Sequence, residues 1–496
     1  MTRLFLLVAL LSASGASAQK AVYVATDGSA LGSGTLASPL NSIAAALTRV
    51  VPGDTIYVRG GTYASPSPVR LDASGEEGAY LHIWAYPGET PVFDFTGANR
   101  GFDVRGDYLH LKGLVAEKSG DNGVYVNGAS YNILEGLVAR YNGDSGVQMQ
   151  TEAAYNLLLN IDSYENYDAG NNGENADGFA IKFGVGPGNV VRGCRSWGNS
   201  DDGYDFWSDD DPGQQGVLVE DSWAFRNGYN IWEDTNYQGD SNGFKLGHGP
   251  GAHTFVRNLS WGHRAHGFDV NGNESGVTLY NNTAVDNGGS NFFFDDDPNE
   301  EEAAPYVLRN NVSYGDVRMD QSVVQDDFNT WNGAAVVGPS DFLTMDDAGA
   351  DGPRQKDGSL PDLDFLKLAP GSDLIDAGTD VGLPFLGSAP DLGAFESAAT
   401  GTAAEADPLA PGALRLLGPN PVRHTARLGV DLAEAADVRL DVVDALGRRV
   451  ATLLDGPRGA GPEAVEWDAS ALPSGVYVVR LQAGAAVHAL TLTVVR

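Results

Sequence analysis

A short hydrophobic pattern recurs through residues 101–270. Seven segments read glycine, apolar residue, variable residue, apolar residue, and they begin at Gly101, Gly123, Gly146, Gly178, Gly203, Gly243 and Gly267. The spacings between them are 22, 23, 32, 25, 40 and 24 residues. Alternation over so few positions predicts short strands, and the period predicts one such strand in every turn of a solenoid.

A second set of short strands is expected about a dozen residues after the later segments, at 189–192, 217–220, 254–257, 277–280 and 306–309. Asn, Asp and Gly separate the two sets, as turns require. The two sets predict an all-β chain folded as a parallel β-helix whose long spacings are loops on one face. We expect equivalent positions of successive coils to stack in two internal ladders, Trp197 with Trp223 and Trp261, and Asn258 with Asn281 and Asn310.

Both ends of the chain depart from this repeat. Residues 1–18 combine a basic start, an apolar run and a small-residue cleavage site, which predicts a secretory signal peptide. The β-helix domain is expected over 19–396, with a cap that includes a short helix within 39–51. Residues 397–412 are rich in Ala, Thr, Gly and Pro and predict a linker, and strands at sandwich spacing over 413–496 predict a small C-terminal β-sandwich domain.

The amino-acid composition disfavours some classes of binding partner. The 66 acidic residues outnumber the 31 basic ones and give a net charge of −35, which repels nucleic acid and anionic membrane surfaces. After the leader no run approaches the roughly 20 apolar residues of a transmembrane segment. Cys194 stands alone, so no internal disulfide can form, and we expect a small buried side chain. An exported monomer is the expected form.

The aligned segments also place polar side chains. Their variable positions predict one column with a coil spacing of about 4.8 Å, made of Asp103, Tyr125, Gln148, Ala180, Asp205, Lys245 and Asp269. The residues before the glycines predict a neighbouring column of Asn122, Ser145, Asp177, Asp202, Asn242 and His266, with Asp201 beside it. Four carboxylates therefore converge on two consecutive coils: Asp177, Asp201, Asp202 and Asp205.

Carboxylates so close together repel one another unless a cation joins them. Calcium is a hard cation that takes six to eight oxygens and tolerates irregular geometry. The four aspartates therefore predict a Ca²⁺ site, with a solvated Asp-rich turn as the alternative. Lys245 lies one coil further along the column of Asp205, and its position alone leaves it either an ion-paired residue or a catalytic amine.

The same residues carry a resemblance to a known family. The segment Asn199-Ser-Asp-Asp-Gly-Tyr-Asp-Phe-Trp207, together with 175–182, 188–197, 242–247 and 266–269, resembles family 9 of the polysaccharide lyases, which includes pectate and rhamnogalacturonan lyases. The resemblance covers about 100 residues and implies a right-handed parallel β-helix. It implies that the metal ligands are Asp177, Asp201, Asp202 and Asp205, and that the Brønsted base is Lys245.

The implied reaction is β-elimination in an acidic polysaccharide such as pectate. Calcium would neutralise the uronate carboxylate, and neutral Lys245 would remove the C5 proton, which predicts an alkaline optimum. Three alternatives stay open: a rhamnogalacturonan or other uronate lyase, a β-helical glycoside hydrolase that uses Asp201, Asp202 or Asp205, and a non-catalytic glycan-binding solenoid. An unsaturated product that depends on calcium would separate the lyase from the last two.

Other polar residues near the candidate site carry weaker expectations. Lys182, Arg192 and Arg257 either meet substrate carboxylates or form plain ion pairs, and the ion pair is the expected role. His266 and Asp269 either orient the base or have structural roles in ladders or turns.

The C-terminal region resembles the sorting domain of the bacterial type nine secretion system. The similarity rests on 418–421, 444–448 and 472–477 and covers about 80 residues. It implies a protein that is secreted or attached to the cell surface, with the secretion machinery as a partner. An ordinary accessory sandwich is the alternative.

Overall fold

The structure is a computed structural model. It describes residues 19–208, 213–294, 305–319, 324–333 and 335–397, and 409–494 apart from short gaps. Those gaps are 418–421, 423–424, 433–434, 445–448, 471, 473–474 and 484–485. The predicted signal peptide, 1–18, lies outside the described residues.

Three long parallel sheets form a right-handed β-helix. Sheet 1 has the strands Ala21–Val24, Thr55–Val58, Leu81–Ala85, Leu109–Lys112, Ile133–Glu135, Leu157–Leu159, Val190–Arg192, Leu218–Glu220, Thr254–Val256, Thr278–Tyr280, Tyr306–Arg309 and Val324–Asp327. Sheet 2 has Val69–Leu71, Phe102–Val104, Val124–Asn127, Val147–Gln150, Phe179–Ile181, Tyr204–Asp205, Phe244–Lys245, Phe268–Asp269, Phe292–Phe294 and Val317–Met319. Sheet 3 has Gly61–Ala64, Pro91–Asp94, Val115–Glu117, Val138–Arg140, Asp162–Tyr164, Arg195–Trp197, Trp223–Phe225, Leu259–Trp261, Thr283–Val285 and Val312–Tyr314.

The predicted fold class is confirmed, but each coil has one strand more than the sequence analysis predicted. The glycine segments form sheet 2 and the second set forms sheet 1, whereas sheet 3 was missed. In one coil only Gly193 and Cys194 separate the sheet 1 strand Val190–Arg192 from the sheet 3 strand Arg195–Trp197. Because Gly193 takes a left-handed φ of 63°, the chain turns a corner within these two residues, so the sequence shows no separate turn segment between the two strands.

Helices are short and lie outside the sheets. The α-helix Ile43–Leu47 falls within the predicted cap segment, and its N-terminus is capped by the side chain of Ser42, which accepts from the backbone of Ala45. Its buried residues Ile43 and Ala46 cover the first coil. The described residues also contain the 3₁₀ helices Ala169–Asn171, Thr330–Asn332 and Pro339–Asp341.

An aromatic stack runs through the interior behind sheet 2. Phe179, Tyr204, Phe244, Phe268 and Phe292 follow one another in register, with ring centroids 4.7, 4.6, 4.8 and 5.0 Å apart. All five are fully buried. The stack repeats at the spacing of parallel strands, so burial of large rings reinforces the register of the backbone.

The predicted ladders exist, but some of their members were assigned wrongly. Asn258 stacks on Asn282 and Asn311, not on Asn281 and Asn310: the backbone N–H of Asn258 donates to Asn282 Oδ1 at 2.9 Å, and that of Asn282 to Asn311 Oδ1 at 2.9 Å. Because two of these coils have adjacent asparagines, Asn281-Asn282 and Asn310-Asn311, spacing alone does not tell them apart.

The tryptophan ladder needs a similar correction. Trp197 pairs in register with Phe225 and Phe225 with Trp261, with centroids 5.5 and 4.5 Å apart, whereas Trp223 aligns with Arg195 and Leu259. Trp223 is two residues away from the ladder position on its own strand.

The segment after the last solenoid strand packs back along sheet 3. Within the described residues the last solenoid strand ends at Asp327, so the later part of the predicted β-helix domain, up to residue 396, adds no further coil there. Arg195 Nη2 and Arg354 Nη2 each donate to Asp162 at 2.7 Å, and Arg195 also donates to the carbonyl of Ala350 at 2.6 Å. A buried cluster lies between the segment and the sheet: Phe225, Trp261, Val285, Phe342, Phe365 and Leu374. The domain limit at 396 stays a prediction.

The C-terminal region is a small antiparallel β domain. One sheet contains Leu409–Leu416, Thr425–Leu432 and Gly461–Asp468, and the other Ala436–Asp444, Arg449–Arg458, Gly475–Ala483 and Ala486–Val494. They share a core that includes Leu428, Leu440, Trp467 and Tyr477. The first strand begins inside the predicted linker 397–412, of which 398–408 lie outside the described residues.

A buried histidine in one polar ladder makes the solenoid sensitive to acid. His263 continues the ladder of Asn166, Asn199 and Asn227: its Nδ1 accepts from the backbone of Asn227 at 3.1 Å. Burial lowers the pKa of His263 to about 3. Below its unfolded pKa of about 6.5 the unfolded chain binds a proton that the folded chain does not, so stability falls as the pH drops from about 6.5 to about 3.

We therefore expect His263→Asn to flatten the acid dependence of stability. The wild type should lose about 1.4 kcal/mol per pH unit below pH 6.5 from this group alone, whereas the variant should lose less even if it is weaker at pH 7. Urea unfolding between pH 7 and pH 4 measures this. The exposed His248 provides the control: His248→Asn should keep the wild-type slope. An unchanged slope in His263→Asn would contradict the assignment.

Candidate active site

The predicted column lies on the outer face of sheet 2. Strand pairing confirms its register: Asp103, Tyr125, Gln148, Ala180, Asp205, Lys245 and Asp269. The neighbours of Asp205 on its strand, Tyr204 and Phe206, are buried in the core, as is Phe244 beside Lys245. Because successive side chains of a strand point to opposite faces, the Asp205 and Lys245 side chains point out of the solenoid.

The structure brings the predicted aspartates together in two overlapping groups. Asp177, Asp202 and Asp205 each offer one oxygen, and these oxygens lie within 4.8 Å of one another. Asp201 and Asp202 form a second group of the same size with Asp240. Asp202 therefore belongs to both groups, and Asp201 joins the other predicted residues through it.

Backbone amides fix these carboxylates in place. Asp202 Oδ1 accepts from the backbone of Asn242 at 2.7 Å, and Asp205 Oδ1 from Trp207 at 2.9 Å. Asp201 Oδ2 accepts from Asn175 at 3.0 Å. Each donor lies in the same turn or on a neighbouring coil, so the stacking of coils orients the carboxylates before any ligand binds.

Lys245 reaches the cluster from the next coil. Its Nζ lies 2.7 Å from Asp240 Oδ2 and 3.4 Å from Asp202 Oδ2. Asp240 was not predicted from the sequence, because it lies in the loop responsible for the 40-residue spacing and occupies no repeat position. Its position five residues before Lys245 did not predict their contact, because a loop residue has no fixed register relative to the strands.

Lys182 occupies a more central position than expected. Its Nζ donates to Asp205 Oδ2 at 2.6 Å and to Asp177 Oδ2 at 3.2 Å. The expected ion pair is confirmed, but its partners are two of the predicted metal ligands. Lys182 follows Ala180 by two residues and therefore shares the outer face of sheet 2, a signal that was present in the repeat.

Burial dominates the electrostatics of the carboxylates. It raises the pKa of Asp177 and Asp202 well above the usual range, although Lys182 and Lys245 respectively lower them. It raises the pKa of Asp201 to about 6, with Lys245 again opposing. For Asp205, Lys182 and Lys245 together outweigh burial and lower the pKa. The cluster therefore holds its negative charge at a cost that a bound cation would relieve.

Although burial opposes the shift, the neighbouring carboxylates raise the pKa values of the two lysines. Burial lowers the pKa of Lys245, but Asp202, Asp205, Asp240 and Asp201 outweigh it and raise the pKa above its usual value. Asp177 and Asp205 do the same for Lys182. With the carboxylates uncompensated, both amines are ammonium ions at neutral pH.

The cluster fits a hard divalent cation. Asp202 Oδ2 is buried and accepts no hydrogen bond from the described residues, with Lys245 Nζ at 3.4 Å. Five carboxylates (Asp177, Asp201, Asp202, Asp205 and Asp240) face two ammonium groups, which leaves an excess of negative charge. Carboxylate oxygens are the ligands that Ca²⁺ takes in proteins. The residues that would hold it are the four predicted aspartates, and Asp240 is a further candidate.

The remaining residues from the sequence analysis have structural contacts. Arg192 pairs with Glu220 and Arg257 with Asp221, so both expected ion pairs are confirmed. His266 Nδ1 accepts from the backbone of Ser290 on the next coil at 2.9 Å, which is a ladder contact, and Asp269 Oδ1 accepts from Asn271 at 3.0 Å, which is a turn contact. Cys194 is free and buried, as expected.

Comparison with known families agrees with this picture. The model for the "Pel9A-like, right handed beta helix region" matches residues 22–304, and the chain belongs to this family. A second model, "Secretion system C-terminal sorting domain", matches 417–494. The resemblances to a family 9 polysaccharide lyase and to a type nine sorting domain are both confirmed. The sorting domain identifies a protein that is secreted or attached to the cell surface.

Individual relatives are similar over most of their length. Pectate lyase L of Dickeya dadantii (strain 3937) is 38% identical over 399 residues, which cover 77% of this chain and 92% of the relative. The crystal structure of pectate lyase Pel9A superposes with a TM-score of 0.72 at 37% identity, covering 77% of this chain and 97% of that one. A rhamnogalacturonan lyase gives 0.61 at 25% identity, covering 72% and 98%. The prediction of an enzyme of the polysaccharide lyase class is confirmed.

Within the part of the chain that the structure describes, every helix is too short or too polar to cross a membrane.

Proposed function

We propose that this polysaccharide lyase is a calcium-dependent pectate lyase that cleaves polygalacturonate by β-elimination, with Lys245 as the base. The observation that carries the proposal is the position of Lys245, whose amine lies 3.4 Å from Asp202 Oδ2 and one coil from Asp205. Its family supports the reaction class, since relatives that cover most of this chain are named pectate lyases. The secretion machinery is the proposed partner of the C-terminal domain.

Because the cluster consists of carboxylates, binding of an anionic substrate beside it would require a metal ion. A polyuronate carries one negative charge per sugar, and five carboxylates of this site would repel it. Calcium held by Asp177, Asp201, Asp202 and Asp205 would bind the substrate carboxylate and stabilise the negative charge that develops beside C5. It would also offset the field that raises the pKa of Lys245.

The elimination then follows from the position of the amine. Neutral Lys245 Nζ takes the proton from C5 and becomes an ammonium ion, and the electron pair of the C5–H bond forms the C4–C5 double bond as the C4–O bond breaks. The leaving sugar departs with that oxygen, which takes a proton from water, and the ammonium of Lys245 returns its proton to solvent before the next turnover. Asp240, which accepts from Lys245 Nζ at 2.7 Å, would orient the amine between turnovers.

A direct assay tests this proposal. Purified protein incubated with polygalacturonate and Ca²⁺ should release an unsaturated product that absorbs in the ultraviolet, and a chelator should abolish the signal until Ca²⁺ is restored. Because Lys245 must lose a proton to act, activity should rise from neutral to alkaline pH. A saturated product, indifference to the chelator, or an activity maximum near pH 5 would contradict the mechanism.

Rhamnogalacturonan is the second candidate substrate, because a rhamnogalacturonan lyase shares the fold over 72% of this chain. Parallel assays on both polymers distinguish the two. Preference for rhamnogalacturonan would keep the mechanism and change the substrate.

A further inference from the structure

Three aromatic side chains border the carboxylate cluster. Phe183, Trp207 and His248 come from three consecutive coils, just after the sheet 2 strands that carry Ala180, Asp205 and Lys245. The rings of Phe183 and Trp207 are 5.7 Å apart and perpendicular, and those of Trp207 and His248 are 6.2 Å apart and nearly parallel. We call these three residues the aromatic row.

The aromatic row lies on the same face as the cluster. Trp207 follows Asp205 by two residues, just past the end of the strand, with the core residue Phe206 between them, so both side chains point outward, about 7 Å apart along the chain. The backbone N–H of Trp207 donates to Asp205 Oδ1 at 2.9 Å, and Lys182 Nζ lies 5.6 Å from the ring centroid of Phe183. The row and the cluster therefore form one continuous surface.

The three rings of the aromatic row are at least partly exposed to solvent and are not part of the hydrophobic core. Phe183 is 38% exposed, His248 is exposed and Trp207 is half-buried. Phe183 also has a φ of +59°, in a turn where the two preceding coils place Gly128 and Thr151. Non-glycine residues adopt the same conformation at other corners of the solenoid, including Tyr108, Tyr131 and Tyr155, so the partial exposure of the three rings, and not the backbone, distinguishes the aromatic row.

We propose that the aromatic row, with Trp207 at its centre, is a stacking subsite for a uronate ring next to the cleaved linkage. This inference rests on the proposed function. An indole presents a flat, uncharged surface to the C–H face of a pyranose, and partly exposed aromatic rings beside polar groups are typical of ligand sites. In a chain with a net charge of −35, such a surface holds a polyanion without adding repulsion.

The position of the aromatic row indicates which part of the substrate would bind there. A polymer whose carboxylate lies at the cluster continues past it in both directions, and the separation of about 7 Å between Asp205 and Trp207 is within reach of an adjoining sugar. Because Trp207 binds Asp205 only through its backbone, removal of the indole leaves that carboxylate in place.

Kinetics of side-chain variants test the subsite. We expect Trp207→Ala to raise the KM for polygalacturonate about ten-fold while kcat stays within roughly two-fold, because a ring held away from C5 contributes equally to ground state and transition state. Trp207→Phe should recover most of the loss. The control is Phe328→Ala, which removes a ring that is 43% exposed and lies beyond the last coil.

A binding measurement separates this inference from the proposed function. In the Lys245→Ala background, calorimetry with a galacturonate oligomer and Ca²⁺ should show a dissociation constant about ten-fold higher when Trp207→Ala is added. Wild-type protein that yields no unsaturated product would overturn the proposed function. Wild-type activity with an unchanged KM and dissociation constant in Trp207→Ala, or a fall in kcat alone, would overturn the subsite.

Discussion

Lys245→Ala is expected to lower kcat on polygalacturonate about a thousand-fold, since a positioned general base contributes about 10²–10⁴ in rate. The KM should change little, because the amine acts on the C5 proton and the carboxylates that would hold the substrate through calcium stay in place. Measurement of the unsaturated product at saturating substrate and Ca²⁺ gives both constants.

Lys245→Arg separates a base from a structural cation. A guanidinium keeps the positive charge beside Asp202 and Asp240, but it does not lose its proton in proteins. A structural ion pair would be restored by arginine, whereas a base would not. The variant should therefore stay folded, with a near-wild-type unfolding temperature, and be as inactive as Lys245→Ala. More than a tenth of wild-type activity in either variant would refute the assignment of Lys245.

Asp202→Asn is expected to weaken calcium binding by about a hundred-fold, because ligand charge sets calcium affinity and Asp202 belongs to both groups of carboxylates. Activity should then require a much higher Ca²⁺ concentration. Calorimetric titration of Ca²⁺ measures the affinity without reference to activity. Asp103→Asn is the matched control, since Asp103 is a buried carboxylate of the same column that pairs with Arg105 and lies four coils from Asp205.

Without calcium, Asp202→Asn should be at least as stable as the wild type at alkaline pH. Burial raises the pKa of Asp202, so the unfolded chain loses this proton at a lower pH than the folded chain, and stability without calcium falls as the pH rises above about 4. Asp202→Asn removes that cost. We expect its unfolding temperature at pH 8 to match or exceed that of the wild type in chelator, and to rise less when Ca²⁺ is added. An equal rise in both proteins would show that Asp202 is not a ligand.

The repeat made much of the fold and part of the site predictable. Every segment starts with glycine and alternates, so the register that places Asp205 beside Lys245 could be read before any coordinates were known. Sheet 3 was hidden because its strands follow sheet 1 after corners as short as Gly193-Cys194. The ladder errors at Trp223 and Asn281 arose where two similar residues lie close together on one coil.

The contacts of Asp240 and Lys182 lay beyond such reasoning for different reasons. Asp240 reaches Lys245 from a loop, and the conformation of a loop follows from contacts distant in sequence, such as the stacking of Tyr167 on Trp232 at 4.6 Å. The sequence pattern predicted that Lys182 points outward. Its ion pairs with Asp177 and Asp205 depend on how closely the two coils pack, which the pattern does not give. Register gives neighbours along the axis, whereas side-chain reach across coils requires the packed structure.

The interior stack from Phe179 to Phe292 has a consequence for how such enzymes diversify. Its rings keep an even step although the chain between successive strands varies from 24 to 40 residues. Insertions in the connecting chain can therefore accumulate without stretching the distance from the carboxylates to the amine. Chain added outside the stack therefore changes what surrounds the site, whereas the step that sets Lys245 one coil from Asp205 stays fixed.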